Sequence, residues 1–346
     1  MSGTQAAFRG AAKSLALSML RGAGAIRVFE WVSGRGLLAL TYHRVVPREG
    51  RSGAPRPSNC VFCDEFEEQM RFVTRRYHVP AAQELRSILE GRAAIPRRSV
   101  AITFDDGYEN NFLYALPILR RQGLHAIVFV TTSLIGQSYG LLWFDRLDAL
   151  LGSEPAGELI EQLRAIDASV PALQPDQVRK YFKGIAAAKQ NRLLDRLEEL
   201  FLPPGPDKTL TALMNWDQVR SMVAAGMTIG SHTAHHQILS AVSAAESALE
   251  VSASRQCIEA QTGQPCWCFA YPNGTLEDFR PADEAALRGA GYSCAFTQIS
   301  GSIDPGTPRY RLPRIPIPDS GDLRIFRFHV SGMHRLRSRL ARSPWA

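Results

Sequence analysis

The chain has few of the features that mark small disulfide-rich or zinc-ribbon proteins. Only six of its 346 residues are cysteine, too few for a disulfide framework in a chain of this length. Cys60 and Cys63 form a single CxxC pair, whereas a structural zinc site needs a second pair. We therefore expect reduced thiols, which favour a cytoplasmic location.

Long apolar runs are also missing. Lys13, Arg21 and Arg27 divide the most apolar part of the N-terminus, so no run reaches the length of a membrane-spanning helix. A convincing signal-peptide cleavage site does not follow the short apolar run at 14–20. We interpret residues 1–35 as an amphipathic helical extension that lies on the inner membrane surface as a peripheral contact.

Lysine is scarce, since five of the 40 basic residues are lysine and the rest are arginine. The net charge of +7 is compatible with nucleic acid, with anionic lipid or with an anionic polymer as partner. Arginines gather in the basic C-terminal tail at 331–346, but no nucleic-acid-binding module accompanies them. We expect no nucleic-acid partner and favour membrane contact, and the sequence does not predict an oligomeric state.

Short apolar runs that end in polar residues recur along the chain and alternate with stretches of helical spacing. This pattern predicts an α/β fold with seven parallel strands. The predicted strands are Leu37–Tyr42, Val100–Phe104, Ala126–Val130, Met227–Ile229, Cys266–Tyr271, Ser293–Thr297 and Arg314–Ile317. Because the C-terminal ends of parallel strands gather at one face, the polar residues that follow them are expected to form a site.

Residues 146–209 interrupt this rhythm. The spacing predicts helices over 158–166 and 177–201, and a proline-rich segment at 202–206 closes the stretch. We interpret it as a helical insertion. Two roles stay open for it, a solvated cap without direct chemistry and an element that shapes substrate access.

Two adjacent carboxylates follow the second predicted strand. Asp105 and Asp106 precede Gly107, which allows a sharp turn of the backbone. Neighbouring carboxylates at a strand end can divide the work, because one can bind a cation while the other stays free as a base. The same letters also occur in ordinary turns, so this motif alone does not establish a site.

A cluster of histidines follows the fourth predicted strand. If the chain turns helical there, His232 and His236 lie one turn apart on one face, within reach of a single ion. Two imidazoles and one Asp oxygen make a facial set with open positions, which is typical of a catalytic ion. A serine hydrolase is excluded because no Gly-x-Ser-x-Gly elbow surrounds Ser231.

Three motifs, in this order, resemble the polysaccharide deacetylases with a NodB homology domain, carbohydrate esterase family 4. They are Thr-Phe-Asp-Asp-Gly at 103–107, His-Thr-Ala-His-His at 232–236 and Phe-Ala-Tyr-Pro-Asn-Gly at 269–274. The segments at 40–45, 143–147 and 312–315 are similar to those of the bacterial exopolysaccharide branch. The resemblance covers residues 36–330.

The resemblance implies a distorted (β/α)7 TIM-like barrel of the NodB, or glycoside hydrolase-deacetylase, fold with a helical insertion. It implies a hydrolase that removes the N-acetyl group from N-acetylhexosamine units and releases acetate. The substrate would be a polysaccharide, a chitooligosaccharide-like oligosaccharide or a lipid-linked glycan. Carried over by position, Asp105 would be the general base, while Asp106, His232 and His236 would hold one divalent ion, zinc before cobalt, manganese or nickel.

The third motif and the end of the chain carry the remaining assignments. Tyr271 and the backbone amide of Asn273 are assigned to substrate and oxyanion contacts. Many relatives have Arg where this chain has Ala270, and a late Leu-x-Leu-His segment that is absent here. In this branch Arg314 would orient Asp105, and His43 would take the place of the acid that protonates the leaving group.

Trp143 and Asp145 are candidates for sugar binding, since carbohydrate sites combine apolar faces with a few fixed polar groups. Core packing of the Trp143 side chain is the alternative. Two other functions stay open at this stage. They are O-acetyl ester hydrolysis by the same site, and glycan binding by a catalytically impaired protein.

Overall fold

The computed structural model describes residues 36–48, 57–137, 141–201, 205 and 207–331. The predicted helix at 1–35, the basic tail from residue 332 onward and most of the proline-rich segment at 202–206 lie outside the described residues. Within the described ranges, no helix has both the length and the apolar character needed to cross a membrane. Membrane contact by the two termini stays a prediction.

Parallel strands form a closed barrel in the order β1, β4, β5, β6, β7, β8, β9. The strands are β1 (Leu37–Tyr42), β2 (Arg44–Val46), β3 (Cys60–Phe62), β4 (Ser99–Phe104), β5 (Ala126–Val130), β6 (Thr228–Ser231), β7 (Cys268–Ala270), β8 (Cys294–Ser300) and β9 (Leu312–Pro316). The seven barrel strands confirm the predicted fold. The small parallel pair of β2 and β3 was not predicted.

The barrel is distorted at two places. A single residue pair, Ser231 with Phe269, joins β6 to β7. The register between β8 and β9 shifts between Phe296 and Ser300. The barrel closes where Leu40 and Thr41 of β1 meet β9. These irregularities lie toward the C-terminal ends of the strands, where the predicted site residues follow.

Alternate side chains along each strand face opposite sides of the barrel wall. One set forms a buried cluster in the barrel interior that includes Ala39, Ala101, Phe129 and Phe296. The small side chains leave room for the two phenylalanine rings, which lie 5.6 Å apart between centroids. Because side chains alternate along β4, the interior face that contains Ala101 also contains every second residue toward the C-terminal end of the strand.

The helices of the described residues are α1 (Cys63–Arg76), α2 (Ala82–Leu89), α3 (Leu116–Arg121), α4 (Trp143–Ser153), α5 (Ala156–Ile166), α6 (Val178–Lys183), α7 (Ala187–Phe201), α8 (Lys208–Thr211), α9 (Trp216–Ala224), α10 (Ala244–Thr262), α11 (Pro281–Gly289) and α12 (Leu323–Val330). Of these, α1, α3, α9, α10, α11 and α12 pack on the outward set of strand side chains. Short helical turns span Asn111–Ala115, Pro175–Gln177 and Leu239–Ala241.

The long helix α10 was not among the predicted helices. Ser243 caps its N-terminus by accepting a hydrogen bond from the Glu246 backbone, and Gly263 ends it in the left-handed conformation. Its buried face includes Ser247 and Ser254, which are small and polar. A pattern search for large apolar side chains at helical spacing therefore misses it.

The helical insertion has a core of its own. Helices α4, α5, α6 and α7 bury a separate cluster that includes Trp143, Leu159, Phe182 and Leu194. The insertion begins at Trp143, slightly before the predicted start at residue 146. The helical stretch predicted over 177–201 forms two helices, because Gly184 ends α6 and α7 starts at Ala187.

Candidate active site

The loop after β4 turns both adjacent carboxylates into one cavity. Asp105 follows the interior side of β4, and its backbone N–H donates to the Tyr42 carbonyl of the neighbouring strand. Asp106 has φ of 76°, a left-handed conformation that breaks the alternation of the strand. Gly107 follows with φ of 84°. Such backbone conformations are costly for a non-glycine residue and cluster at functional sites.

Three buried side chains converge at the mouth of the barrel. Oδ1 of Asp106 lies 3.4 Å from Nε2 of His232 and 3.3 Å from Nε2 of His236. One ligand atom from each residue lies within 4.8 Å of the other two. The structure therefore brings together the three residues that the motifs assign to a metal ion.

The three residues converge without the helical turn that the sequence analysis took as its condition. No helix follows β6, since residues 232–238 form a loop. Thr233 and His236 both have left-handed φ angles, of 68° and 55°. The loop folds back on itself and presents the two imidazoles side by side, with ring centroids 4.9 Å apart.

Contacts around the three residues suit them for a cation. Nδ1 of His232 donates to the Ala270 carbonyl at 2.7 Å, so Nε2 is the nitrogen that faces Asp106. Burial opposes ionisation of Asp106, yet hydrogen bonds from His232 and His236 hold the pKa of that carboxyl well below its usual range. One carboxylate and two imidazole nitrogens are borderline donors that fit zinc and its neighbours in the first transition row.

Asp105 has a different set of partners. Arg314 of β9 donates from Nη1 to Oδ1 at 2.6 Å and from Nη2 to Oδ2 at 2.7 Å. The guanidinium also donates to the Thr297 carbonyl and the Thr103 hydroxyl. Burial raises the pKa of Asp105, but the charge and hydrogen bonds of Arg314, together with the charges of His232 and His43, outweigh burial and lower the pKa below the usual value. Asp105 is thus an ionised carboxylate outside the three-residue cluster.

A cavity of about 390 Å³ joins these groups. Its walls include Asp105, Asp106, His232 and His236, together with His43, which directly follows β1. Burial lowers the pKa of His43, although Asp106 and Asp105 act in the other direction. The neutral imidazole is therefore favoured at neutral pH.

The profile of the polysaccharide deacetylase family matches residues 92–293, more than half of the chain. This chain belongs to the polysaccharide deacetylase family. The match confirms the resemblance drawn from the three motifs and places the chain among the carbohydrate deacetylases, a class of hydrolases.

Individual relatives are more distant. The Bacillus subtilis protein YxkH, named as a candidate polysaccharide deacetylase, is 32% identical over 78 residues. The match covers 22% of this chain and 28% of that relative's length. IcaB from Ammonifex degensii has 20% identity and a TM-score of 0.57, covering 86% of this chain and 98% of that one. A de-N-acetylase from Aggregatibacter actinomycetemcomitans has 17% identity and a TM-score of 0.53, covering 84% and 99%. These two structures share the fold.

Two residues of this family member that were assigned to substrate contact have other partners. Tyr271 lies in the core, where its hydroxyl donates to the Tyr310 carbonyl and its ring stacks on Phe279. Its N–H donates to the Phe296 carbonyl within the barrel. Since Tyr271 does not line the cavity, its assignment to substrate or oxyanion contact was wrong for this structure.

Asp145 lines the cavity, and its carboxylate also has partners within the protein. Its carboxylate forms a buried ion pair with Arg44 and accepts a hydrogen bond from the Tyr108 hydroxyl at 2.9 Å. Burial raises the pKa of Asp145, partly offset by Arg44. This triad ties the insertion to the strand after β1. The contact with sugar hydroxyls stays a prediction.

Trp143 also lines the cavity, and core packing accounts for most of its surface. The indole is 6% exposed and stacks on Phe182 at an angle of 8°. The neighbouring ring of Phe144 lies edge-on to His236, with centroids 5.3 Å apart. The insertion thus contributes an apolar wall beside the ligand cluster.

Asn273 lies on the cavity wall, as the third motif predicted. It has a left-handed φ of 60°, and its side chain is held on two sides. Nδ2 donates to Asp278 at 2.7 Å, and Oδ1 accepts from Nζ of Lys183 at 2.8 Å. Among the described residues, the Asn273 N–H has no hydrogen-bond acceptor. That amide is available to a ligand.

Gln298 and Lys183 are among the cavity residues that sequence reasoning missed. Gln298 directly follows the predicted strand at 293–297, so the rule that polar residues at strand ends form the site could have found it. Lys183 ends α6 within the insertion and is held at the site by a long-range contact. No local pattern signals such a contact.

Proposed function

We propose that this protein hydrolyses the N-acetyl group of an acetamido sugar within a glycan, with one divalent cation held by Asp106, His232 and His236. The observation that carries this proposal is the division of two adjacent carboxylates. Asp106 lies within reach of two imidazoles, whereas Asp105 is bound by a guanidinium in the same cavity. Metal-assisted hydrolysis needs such a cation site and, beside it, a base that is not a ligand of the cation.

Zinc is the cation we favour, because two imidazoles and a carboxylate form a set that leaves positions open for water and substrate. When bound, the cation polarises the acetyl carbonyl and lowers the pKa of water. The Ala270 carbonyl keeps the His232 ring in the orientation that presents Nε2. Asp106 is held as the carboxylate by its surroundings.

Side chains of the protein accept and donate the protons of the reaction. Asp105 accepts a proton from the attacking water, and Arg314 keeps the carboxylate ionised and oriented for this role. The new C–O bond turns the acetyl carbonyl into an oxyanion, which the Asn273 N–H stabilises. The imidazolium form of His43, the less populated one at neutral pH, donates a proton to the amine nitrogen as the C–N bond breaks, leaving acetate and a free amino sugar. The proton that Asp105 has taken up restores that form.

The substrate class rests on the cavity and on the family. The cavity accommodates an acetamido group together with part of a sugar ring, with the Phe144 ring on one side. A protein of the same fold carries the name de-N-acetylase, which supports an amide as the bond that is cleaved. A chitooligosaccharide, a poly-N-acetylglucosamine or a lipid-linked acetamido sugar would each present this group.

The test measures acetate release from these three substrates after chelation and after zinc, cobalt, manganese or nickel is added back. We expect activity to disappear with the chelator and to return with metal. Asp106→Asn and His232→Ala should lose bound metal, measured by elemental analysis, together with at least 100-fold of the rate.

His235→Ala is the matched control for the two ligand variants. His235 lies beside His236 but its ring pairs with Glu250, outside the cluster. This variant should retain its metal and its rate. Full acetate release by the metal-free protein, or equal metal content in His232→Ala and His235→Ala, would contradict the proposal.

A further inference from the structure

Gln298 occupies a fixed position on the cavity wall, although no motif includes it. Its backbone N–H donates to the Gly274 carbonyl at 2.9 Å. A Cβ at Gly274 would lie 2.8 Å from that nitrogen, so the turn after Asn273 packs directly against β8. The backbone of Gln298 is therefore set by the same turn that presents the Asn273 amide.

The terminal amide of Gln298 has one orientation only. Nε2 donates to Oδ2 of Asp105 at 3.0 Å. Because an ionised carboxylate only accepts hydrogen bonds, the reverse orientation would place two acceptor oxygens against each other. Oε1 of Gln298 therefore points away from Asp105.

Oε1 has no hydrogen-bond donor among the described residues and is enclosed. A buried acceptor without a donor destabilises a protein, so it calls for a group that the polypeptide does not supply. Arg314 donates to Asp105 and Nζ of Lys183 donates to Asn273, and neither donates to Oε1 of Gln298. The Gln298 side chain is half-buried, and it lines the cavity together with Asp105.

We propose that Oε1 of Gln298 accepts a hydrogen bond from the N–H of the substrate acetamido group and so makes the site selective for amides over esters. This inference rests on the proposed function. An acetamido group carries an N–H donor, whereas an O-acetyl ester of the same shape carries none. A site with a buried acceptor discriminates against a ligand that leaves the acceptor unpaired.

The experiment compares kcat/KM for two substrates in the zinc-loaded full chain. One is chitotetraose, and the other is a cello-oligosaccharide that carries 2-O-acetyl groups. Gln298→Met removes the acceptor and should lower the amide-to-ester ratio by about 10-fold, the effect of one neutral hydrogen bond. Both rates will also fall together, because Asp105 loses a donor, and the ratio cancels that common loss.

Two further variants separate recognition from support of Asp105. Gln298→Glu retains an acceptor oxygen in the same place, so it should keep the wild-type ratio although both rates fall. Thr103→Val removes the hydroxyl that Arg314 contacts and should change both rates by the same factor. Circular dichroism and thermal melting identify any variant that does not fold.

The outcomes distinguish this inference from the proposed function. If the wild type releases acetate from chitotetraose and Gln298→Met leaves the ratio unchanged, the inference is wrong while the proposed function stands. If Gln298→Glu lowers the ratio as much as Gln298→Met, the acceptor is not the cause and the inference is again wrong. If the wild type releases acetate from neither substrate, the proposed function itself fails.

Discussion

Arg314 and Asp105 form a bidentate ion pair across 209 residues of sequence. Both are fully buried, and the guanidinium carbon lies 5.5 Å from the centre of the Phe129 ring and 5.9 Å from that of Phe296. The guanidinium reaches the carboxylate from β9, through the interior of the barrel.

Removing the guanidinium leaves a buried carboxylate without its counter-ion. We expect Arg314→Met to destabilise the protein by about 3 to 5 kcal/mol and to reduce kcat by about 100-fold or more. Asp105→Asn combined with Arg314→Met should recover part of the free energy of unfolding but none of the activity. Urea unfolding and acetate release measure the two effects, and a double variant no more stable than Arg314→Met would contradict this account.

The insertion reaches the site through Lys183. Its ammonium donates to Oδ1 of Asn273, whose N–H we assign to the oxyanion. Lys183→Ala should loosen this turn and lower kcat by about 3-fold to 10-fold, the effect of one hydrogen bond, with little change in KM. The measurement is the steady-state rate of acetate release.

Lys180 offers a matched control on the same helix. It is exposed and does not line the cavity. Lys180→Ala should leave kcat unchanged. Equal losses in the two variants would mean that α6 contributes general charge and not the contact with Asn273, and the insertion would then be a cap.

The strands and the ligand set were predictable from the sequence because both depend on local signals. Strand interiors such as 100–104 and 126–130 are short apolar runs, and each ends in polar residues. The parallel topology then brings Asp106 and the two histidines together without any knowledge of the loops. The loop after β6 was predicted wrongly, because left-handed angles at Thr233 and His236 carry no sequence signature when the residue is not glycine.

Contacts between distant segments account for the other errors. The sequence predicts Asp145 as a sugar-binding residue. It does not predict the ion pair that this carboxylate forms with Arg44, 101 residues away. Tyr271 lies in a motif that forms part of the site, but strand alternation turns its side chain toward the helices and Phe279. These outcomes depend on which side chains meet across the fold, and one sequence without structure does not contain that information.

Gly230 of β6 marks a place where the barrel interior tolerates no side chain. A Cβ there would lie 2.5 Å from two ring carbons of Phe129. Since that ring is fully buried, we expect Gly230→Ala to destabilise the protein by about 1 to 3 kcal/mol.

Gly157 in α5 has nothing within 4 Å of its Cβ position, so Gly157→Ala should stabilise the protein by about 0.5 to 1 kcal/mol. Urea unfolding distinguishes the two signs, and a destabilised Gly157→Ala or a neutral Gly230→Ala would be inconsistent with this packing.

His125 precedes β5 at the end of the barrel opposite the site and makes the stability depend on pH. Its ring is 8% exposed and contacts the Thr228 hydroxyl through Nε2 at 2.9 Å. Burial lowers the pKa of His125 to about 4, from an unfolded value of 6.5. The unfolded chain therefore binds the proton first as the pH falls.

The sign of this effect follows from the proton binding. Stability from the neutral His125 is fully present above pH 6.5 and is lost between pH 6.5 and pH 4. The whole loss is about 3 kcal/mol for a pKa difference of this size. His125→Gln retains a hydrogen-bonding side chain but does not titrate, so its free energy of unfolding should fall less steeply with acid than that of the wild type. Guanidinium unfolding at pH 7.5, 6 and 5 measures both curves. Parallel curves over that range would show that the His125 pKa is not displaced by folding.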